Sequence, residues 1–288
     1  MKKLKALIPI FMNEVIEHDL DKFNLKKNRF LNIIFERFIV NDKNKYLIYN
    51  EIVDKRKEAN TNIQFNLNKT NEIVFNAKNA SLEEDAILLR SMLYTYINNP
   101  VDLREKFIFQ DKYNVINEAI KKKFKLSITF HNENRVIEPV FISRSNEERF
   151  NYICSYCYKK GQIVNYRLSN IEKCNVLYGE EQDKVKDYDI EEIKDNFDPY
   201  LSYNKEVKIK LTKKGKRYYE IFTYKPKILS IDGDIYTIEA SLFKAQLFLG
   251  AFWDEVEVLE PKELRDWMKN KIESMAKLYQ KEIIWGFL

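Results

Sequence analysis

The chain opens on a strict alternation. Leu4, Ala6 and Ile8 fall on one face, and Lys3, Lys5 and Leu7 fall on the other. A period of two is the signature of a strand with one buried face. Pro9 ends it, because proline has no amide proton to give to a ladder. Val15, Ile16, Leu20 and Phe23 then recur at helical spacing, Asn24 to Lys27 make a turn, and Phe30, Leu31, Ile34, Phe35 and Phe38 form the apolar stripe of a second helix. The same order returns further on. Ile63 to Asn68 alternates, and a helical pattern runs from Asn71 to Ile97 with Ile87, Leu88, Met92 and Tyr96 where a second-helix stripe falls. This second strand would complete a two-stranded ribbon within one chain or pair with a partner's strand. Residues 45–58 predict a connecting helix, and Pro100 marks a boundary.

Beyond Pro100 the periods shorten. Asp111 to Lys123 predicts a helix ending in Lys121, Lys122 and Lys123. Leu126, Ile128 and Phe130 then alternate with Ser127, Thr129 and His131. Val136, Val140 and Ile142 precede a polar turn from Ser143 to Glu148, and Phe150, Tyr152 and Cys154 share a face. With the run Tyr166 to Ile171, this spacing predicts a small antiparallel barrel. The last stretch predicts strands near 207–211, 226–231 and 234–239, joined by a turn at Asp232-Gly233-Asp234. A helix near 242–249, a strand at 254–259 and a final helix opening at Pro261 follow. Leu264, Trp267, Met268, Ile272, Met275 and Tyr279 form the stripe of that helix. The fold class is α+β.

Three stretches resemble known families. The order strand, helix, helix, the Ile8-Pro9 step and the turn Phe23 to Leu31 resemble the ribbon-helix-helix fold over residues 1–41. The short helix with its basic end, Arg135-Val136-Ile137-Glu138-Pro139, Asn151-Tyr152-Ile153 and Tyr166 to Ile171 resemble the WYL domain, an SH3-like β-barrel of bacterial nucleic-acid-binding regulators, over 111–178. The stretch from Gly250 to Arg265 resembles the ferredoxin-like C-terminal extension that accompanies WYL domains, over 205–288. Between them lie 42–110, a helical connecting region with a possible second strand–helix–helix unit, and 179–204, an acidic linker.

The resemblances imply residues. In ribbon-helix-helix proteins the outward strand side chains read bases in the major groove, which here would be Lys3, Lys5 and Leu7, and a homodimer would supply the second strand. In WYL domains one face binds a nucleotide-like ligand or a nucleic-acid strand, which here would be His131, Arg135, Tyr152, Tyr166 and Arg167. Guanidinium groups pair with phosphate in two-pronged fashion, and aromatic rings stack on bases. The triplet that names the family stands here as Asn151-Tyr152-Ile153, and Asn170 stands where an arginine is usual. Tyr152 and Tyr166 read equally well as barrel core.

Charge adds a third candidate. The net charge is only +5, but nine basic and two acidic residues lie between Lys205 and Lys227, and three basic and nine acidic ones between Tyr178 and Pro199. Clustered positive charge attracts polyanions. Lys208, Lys210, Lys213, Lys214, Lys216 and Arg217 form the densest group, with Tyr218, Tyr219 and Tyr224 close by. Either charged run also reads as a solvated face.

Reaction chemistry finds little support. Cys154 and Cys157 form a CxxC with only Cys174 beside them, short of the four ligands of a structural zinc site, and neither His18 nor His131 has a matching partner. There is no phosphate loop, no nucleophile elbow and no zinc-protease motif. No metal, cofactor or enzymatic activity is expected. The odd cysteine number does not suit a secreted disulfide framework. No run approaches the roughly 18 apolar residues of a membrane span, so a cytoplasmic location is expected. The leading expectation is a non-enzymatic nucleic-acid-binding regulator acting on operator DNA, with a WYL face that senses a nucleotide or strand. The alternatives are a single-stranded RNA-binding accessory protein of an RNA-targeting CRISPR system and a protein-interaction scaffold.

Overall fold

The computed structural model describes residues 1–40, 60–78, 84–146, 148–195 and 197–283. The chain divides into two compact units, Met1–Ile190 and Glu191–Leu288. The boundaries expected at 41, 110 and 178 all fall inside the first unit. The fold is α+β, with three antiparallel sheets among the described residues.

The first unit begins with β1 (Lys3–Pro9), whose alternation buries Leu4, Ala6 and Ile8 and exposes Lys3, Lys5 and Leu7. Pro9 passes the chain directly into α1 (Ile10–Phe23). Asn24 ends that helix at φ 51°, a left-handed position that asparagine tolerates. α2 (Lys27–Phe35) follows and continues as a π-helical turn, Glu36–Val40. β2 (Asn60–Asn66) pairs antiparallel with β1, from Lys3 opposite Asn66 to Pro9 opposite Asn60. After it come α3 (Lys69–Lys78) and α4 (Asp85–Ile97). The continuous helical pattern expected from Asn71 is thus two helices, and the connecting helix expected at 45–58 lies outside the described residues.

The strand–helix–helix unit occurs twice, and its two strands pair with each other. The packing is reciprocal: α4 lies against β1 and α2 against β2. Their apolar faces form one core containing Leu4, Ile8, Ile63, Phe65, Phe30 and Met92. The ribbon therefore gives no reason for a homodimer, because its second strand comes from the same chain.

α5 (Val101–Ile108) and α6 (Gln110–Lys122) lead into a five-stranded sheet. Its members are β3 (Phe124–Phe130), β4 (Glu133–Arg144), β5 (Asn151–Cys157), β6 (Gln162–Arg167) and β7 (Ile171–Glu181), in the order β6-β5-β4-β3-β7. Ile116 and Ala119 of α6 close its core over Leu126, Ile128, Ile137, Ile153 and Ile171. The acidic stretch expected as a linker starts as structure. The fully buried carboxylate of Glu138 accepts the amides of Asp183, Lys184 and Val185 at 2.9–3.2 Å and the Tyr158 hydroxyl at 2.6 Å. A buried carboxylate needs such donors, and they hold residues 183–185 against β4. The short helix α7 (Ile190–Asp195) comes next.

The second unit runs β8 (Glu206–Leu211), α8 (Lys213–Ile221), β9 (Lys227–Asp232), β10 (Ile235–Glu239), α9 (Leu242–Leu249), β11 (Val256–Glu260) and α10 (Lys262–Ile283), with strand order β11-β8-β10-β9. Gly233 sits at φ 60° in the turn between β9 and β10, which glycine adopts without strain. α8 is an addition to the sequence expectation. Thr212 caps it by accepting the Gly215 amide at 3.1 Å, and a Cβ on Gly215 would meet the Glu255 carbonyl oxygen at 2.3 Å. Val207, Ile209, Tyr219, Leu249 and Val258 lie in the core of this unit.

Candidate nucleic-acid interface

The ribbon presents a continuous outward row. Lys3 stands opposite Asn66, Lys5 opposite Gln64 and Leu7 opposite Asn62. All are exposed except Asn66, which is half-buried. Among the described residues, neither lysine makes an ion pair and no acidic side chain shares the row. Sequence reasoning named only the β1 half. Its signal for the other half was present in Asn62-Ile63-Gln64-Phe65-Asn66, where the buried Ile63 and Phe65 force the polar residues outward.

Two asparagines of α2 hold the end of β2 in place. Asn28 accepts the Asn66 amide at 2.9 Å, and Asn32 donates to the Asn66 carbonyl at 2.9 Å. Asn32 also accepts the Asn68 amide at 2.8 Å, and Asn71 donates to it at 3.0 Å. β2 is thus tied to α2 by side-chain hydrogen bonds at its Asn66 end.

The N-termini of α2 and α4 differ in charge. α2 starts at Lys26-Lys27-Asn28-Arg29 with no acidic residue in its first turn. α4 starts at Glu84-Asp85, and Asp85 pairs with Lys2 at 2.7 Å. Beside the α2 end lies a cleft of about 680 Å³ lined by Lys26, Arg29, Glu36, Phe109, Lys112 and Glu172, among others. Lys112 sits 4.0 Å above the Phe109 ring and donates to the Leu168 and Ile171 carbonyls. Burial pushes its ammonium down to about 8.

The five residues expected on one WYL face separate into two groups. His131 occupies the exposed β3–β4 turn at φ 51°, its ring against Phe130. Arg135 donates to Glu133 at 2.9 Å and reaches the Tyr166 hydroxyl at 3.5 Å, its guanidinium over the Phe130 and Tyr166 rings. Tyr166 is 1% exposed and belongs to the core, and burial raises its hydroxyl to about 12. Tyr152 and Arg167 stand opposite each other on β5 and β6 and face away from that group, toward the helices. The Tyr152 hydroxyl donates to Glu148. The Arg167 guanidinium lies 3.3 Å from the Phe150 ring centroid, donates to the Lys22 carbonyl at 3.3 Å and approaches Glu105 at 3.7 Å. Glu105 is fully buried and accepts the Asn151 amide and side chain at 2.7 and 2.9 Å and the Ser169 amide at 3.0 Å. Asn151 therefore helps fasten α5 to the sheet.

The basic group of the second unit is partly neutralised. Lys208 pairs with Glu260 at 3.1 Å, Lys214 with Glu255 at 3.0 Å and Lys216 with Asp234 at 2.8 Å. Lys210, Lys213 and Arg217 are exposed and make no ion pair among the described residues. Lys208 and Lys210 lie on β8, whereas Lys213, Lys214, Lys216 and Arg217 lie on α8.

Burial disfavours the thiolate at two of the three cysteines. Cys154 is fully buried, and burial pushes it up to about 12 and the Cys174 thiol to about 11. Cys154 and Cys157 are three residues apart on an extended strand, roughly 10 Å at ~3.4 Å per residue, beyond the ~7 Å reach of a disulfide. Among the described residues no group of three His, Cys, Asp or Glu side chains could hold a metal ion. No helix among them is long and apolar enough to cross a membrane.

No family model and no curated protein matches the chain. A solved structure described as a CRISPR Cas-related protein has the same fold, with a TM-score of 0.69 at 14% identity, covering 98% of this chain and 95% of that one. A second, the proteasome accessory factor B/C (PafBC) of Arthrobacter aurescens, gives a TM-score of 0.32 at 13% identity over 75% of this chain and 37% of its own length, too slight a likeness to carry weight.

Proposed function

We propose that the chain is a non-enzymatic nucleic-acid-binding regulator that engages duplex DNA through its ribbon. The observation that carries this reading is the outward row of Lys3, Lys5, Asn62 and Gln64, with no acidic side chain in the row among the described residues, on two strands closed within one chain. A two-stranded ribbon fits the major groove, about 12 Å wide, and the basic start of α2 offers backbone amides and cations to a phosphate beside it. The pieces read as a ribbon-helix-helix region, a WYL barrel and a ferredoxin-like extension. The five antiparallel strands after α6 and the β-α-β-β-α-β order of the second unit support that reading. On the WYL face, His131 is exposed to a nucleotide ligand, and Arg135 would have to exchange its Glu133 pair for a phosphate.

The second reading, an accessory protein of an RNA-targeting CRISPR system that binds single-stranded RNA, draws support from the fold shared with the CRISPR Cas-related protein over 98% of the chain. Fluorescence anisotropy with labelled duplex DNA, single-stranded DNA and single-stranded RNA over a salt series separates the two. Preference for duplex supports the ribbon reading. Tight binding to single-stranded RNA with weak duplex binding replaces it with the accessory role.

A further inference from the structure

The two strands of the ribbon are not copies of each other. β1 offers Lys3, Lys5 and Leu7, and β2 offers Asn66, Gln64 and Asn62 opposite them. When a ribbon is built from two identical chains, its outward face has twofold symmetry. Here one chain supplies both strands, and the symmetry is broken at each of the three outward cross-strand pairs. Side-chain chemistry gives the two halves different targets. A lysine donates to the O6 and N7 acceptors of guanine, Asn or Gln pairs with the N6 and N7 edge of adenine, and an apolar side chain meets the thymine methyl group.

The flanks are unequal in the same sense. The second helix of the first repeat begins with Lys26, Lys27 and Arg29, and its counterpart in the second repeat begins with Glu84 and Asp85. Lys27 is paired with Glu17 at 2.8 Å and Asp85 with Lys2 at 2.7 Å, which leaves Lys26 and Arg29 at one end against Glu84 at the other and favours a phosphate at the first. Outward residues two apart on a strand are separated by ~6.8 Å, about two base-pair steps at ~3.4 Å each. The row from Lys3 to Leu7 thus spans about four base-pair steps, or about five base pairs.

We infer that the ribbon reads a short duplex sequence without twofold symmetry, with guanines under the β1 lysines and adenines under Gln64 and Asn62 of β2. This rests on the proposed duplex-binding function and adds its sequence class. A second copy of the chain docked through another surface would repeat the unit without making the unit itself symmetric.

The test is selection of binding sites by the full chain from a random duplex pool, repeated with Asn62→Ala/Gln64→Ala and with Lys3→Ala/Lys5→Ala. These positions are exposed or at the strand rim, and thermal melting checks that the variants fold. The expected result is a unit of about five base pairs with no dyad of its own. The Asn62/Gln64 variant relaxes the adenine positions while keeping the guanine ones, and the lysine variant does the reverse. Each relaxed position loses roughly 5- to 150-fold of discrimination against the wrong base. A palindromic unit, or retained duplexes with no shared sequence, overturns the inference while leaving duplex binding intact. Retention of no duplex at all overturns the proposed function and the inference with it.

Discussion

Arg104 closes a two-pronged ion pair on the fully buried Asp19, with Nε at 2.7 Å and Nη2 at 2.9 Å, and the Tyr96 hydroxyl donates to the same carboxylate at 2.6 Å. The three residues join α1, α4 and α5 beneath the ribbon. Burial and the neighbouring Asp19 charge hold the Tyr96 hydroxyl well above its ordinary range, so it stays a donor. Asp19→Ala leaves a guanidinium and a phenol without their acceptor. Removing one partner of a buried pair costs about 3–5 kcal/mol. Urea denaturation should show a loss of that order, and a loss below about 1 kcal/mol would mean the triad contributes little to the fold.

Lys3 and Lys5 carry the charge of the outward row. Lys3→Ala/Lys5→Ala should weaken duplex binding and flatten the fall of log K with log salt, since two cations that displace counterions from the duplex are lost. Anisotropy at four or five salt concentrations measures both. An unchanged slope with unchanged affinity would place the nucleic acid elsewhere on the chain.

Arg167 and Arg135 should part company. Arg167 is held by Phe150, Lys22 and Glu105 in the seam between the helices and the five-stranded sheet. Arg167→Ala should therefore lower stability by about 1–3 kcal/mol, the usual cost of leaving a buried polar group short of a partner. Arg135, packed on Phe130 and Tyr166 and paired with Glu133, should also cost stability when changed to Ala, but only Arg135→Ala should in addition lower affinity for a nucleotide or single strand. Calorimetry and anisotropy on both variants check the pair. Loss of single-strand affinity in Arg167→Ala at unchanged stability would return that residue to the binding face.

Lys112 predicts a pH dependence. Burial depresses its folded-state value to about 8, against about 10.4 in an unfolded chain. Below pH 8 both states are protonated and the folded state carries the full penalty of a buried ammonium. Between about 8 and 10.4 the unfolded chain keeps a proton that the folded one has released, so this residue makes stability rise with pH, by about 3 kcal/mol in all. In Lys112→Met that contribution should vanish. Urea midpoints of the two proteins at pH 7.5 and 10 give the comparison, and parallel pH profiles would count against it.

The periodic parts of the fold were legible because burial of one face leaves a period. β1, β2 and the paired helices show alternation or stripes in their own residues. α8 left no such mark. Its apolar members are Tyr218, Tyr219 and Ile221, bunched at one end, and Gly215 is dictated by the backbone of Glu255, forty residues away. The place of Arg167 was equally hidden, since Lys22 lies 145 residues from it along the chain. Asn62 and Gln64 were readable from alternation alone, once the strand they belong to had a partner. The pairing of β1 with β2 supplied that, and two compatible strands in one sequence do not say which copy pairs with which.

The closure of β1 on β2 also sets how the protein responds to its own abundance. An element assembled from two chains exists only above the concentration at which they associate, and it is lost on dilution. Here the ribbon forms as the chain folds, in a unimolecular step. The fraction of chains that carry a formed ribbon is therefore the same at one molecule as at a thousand.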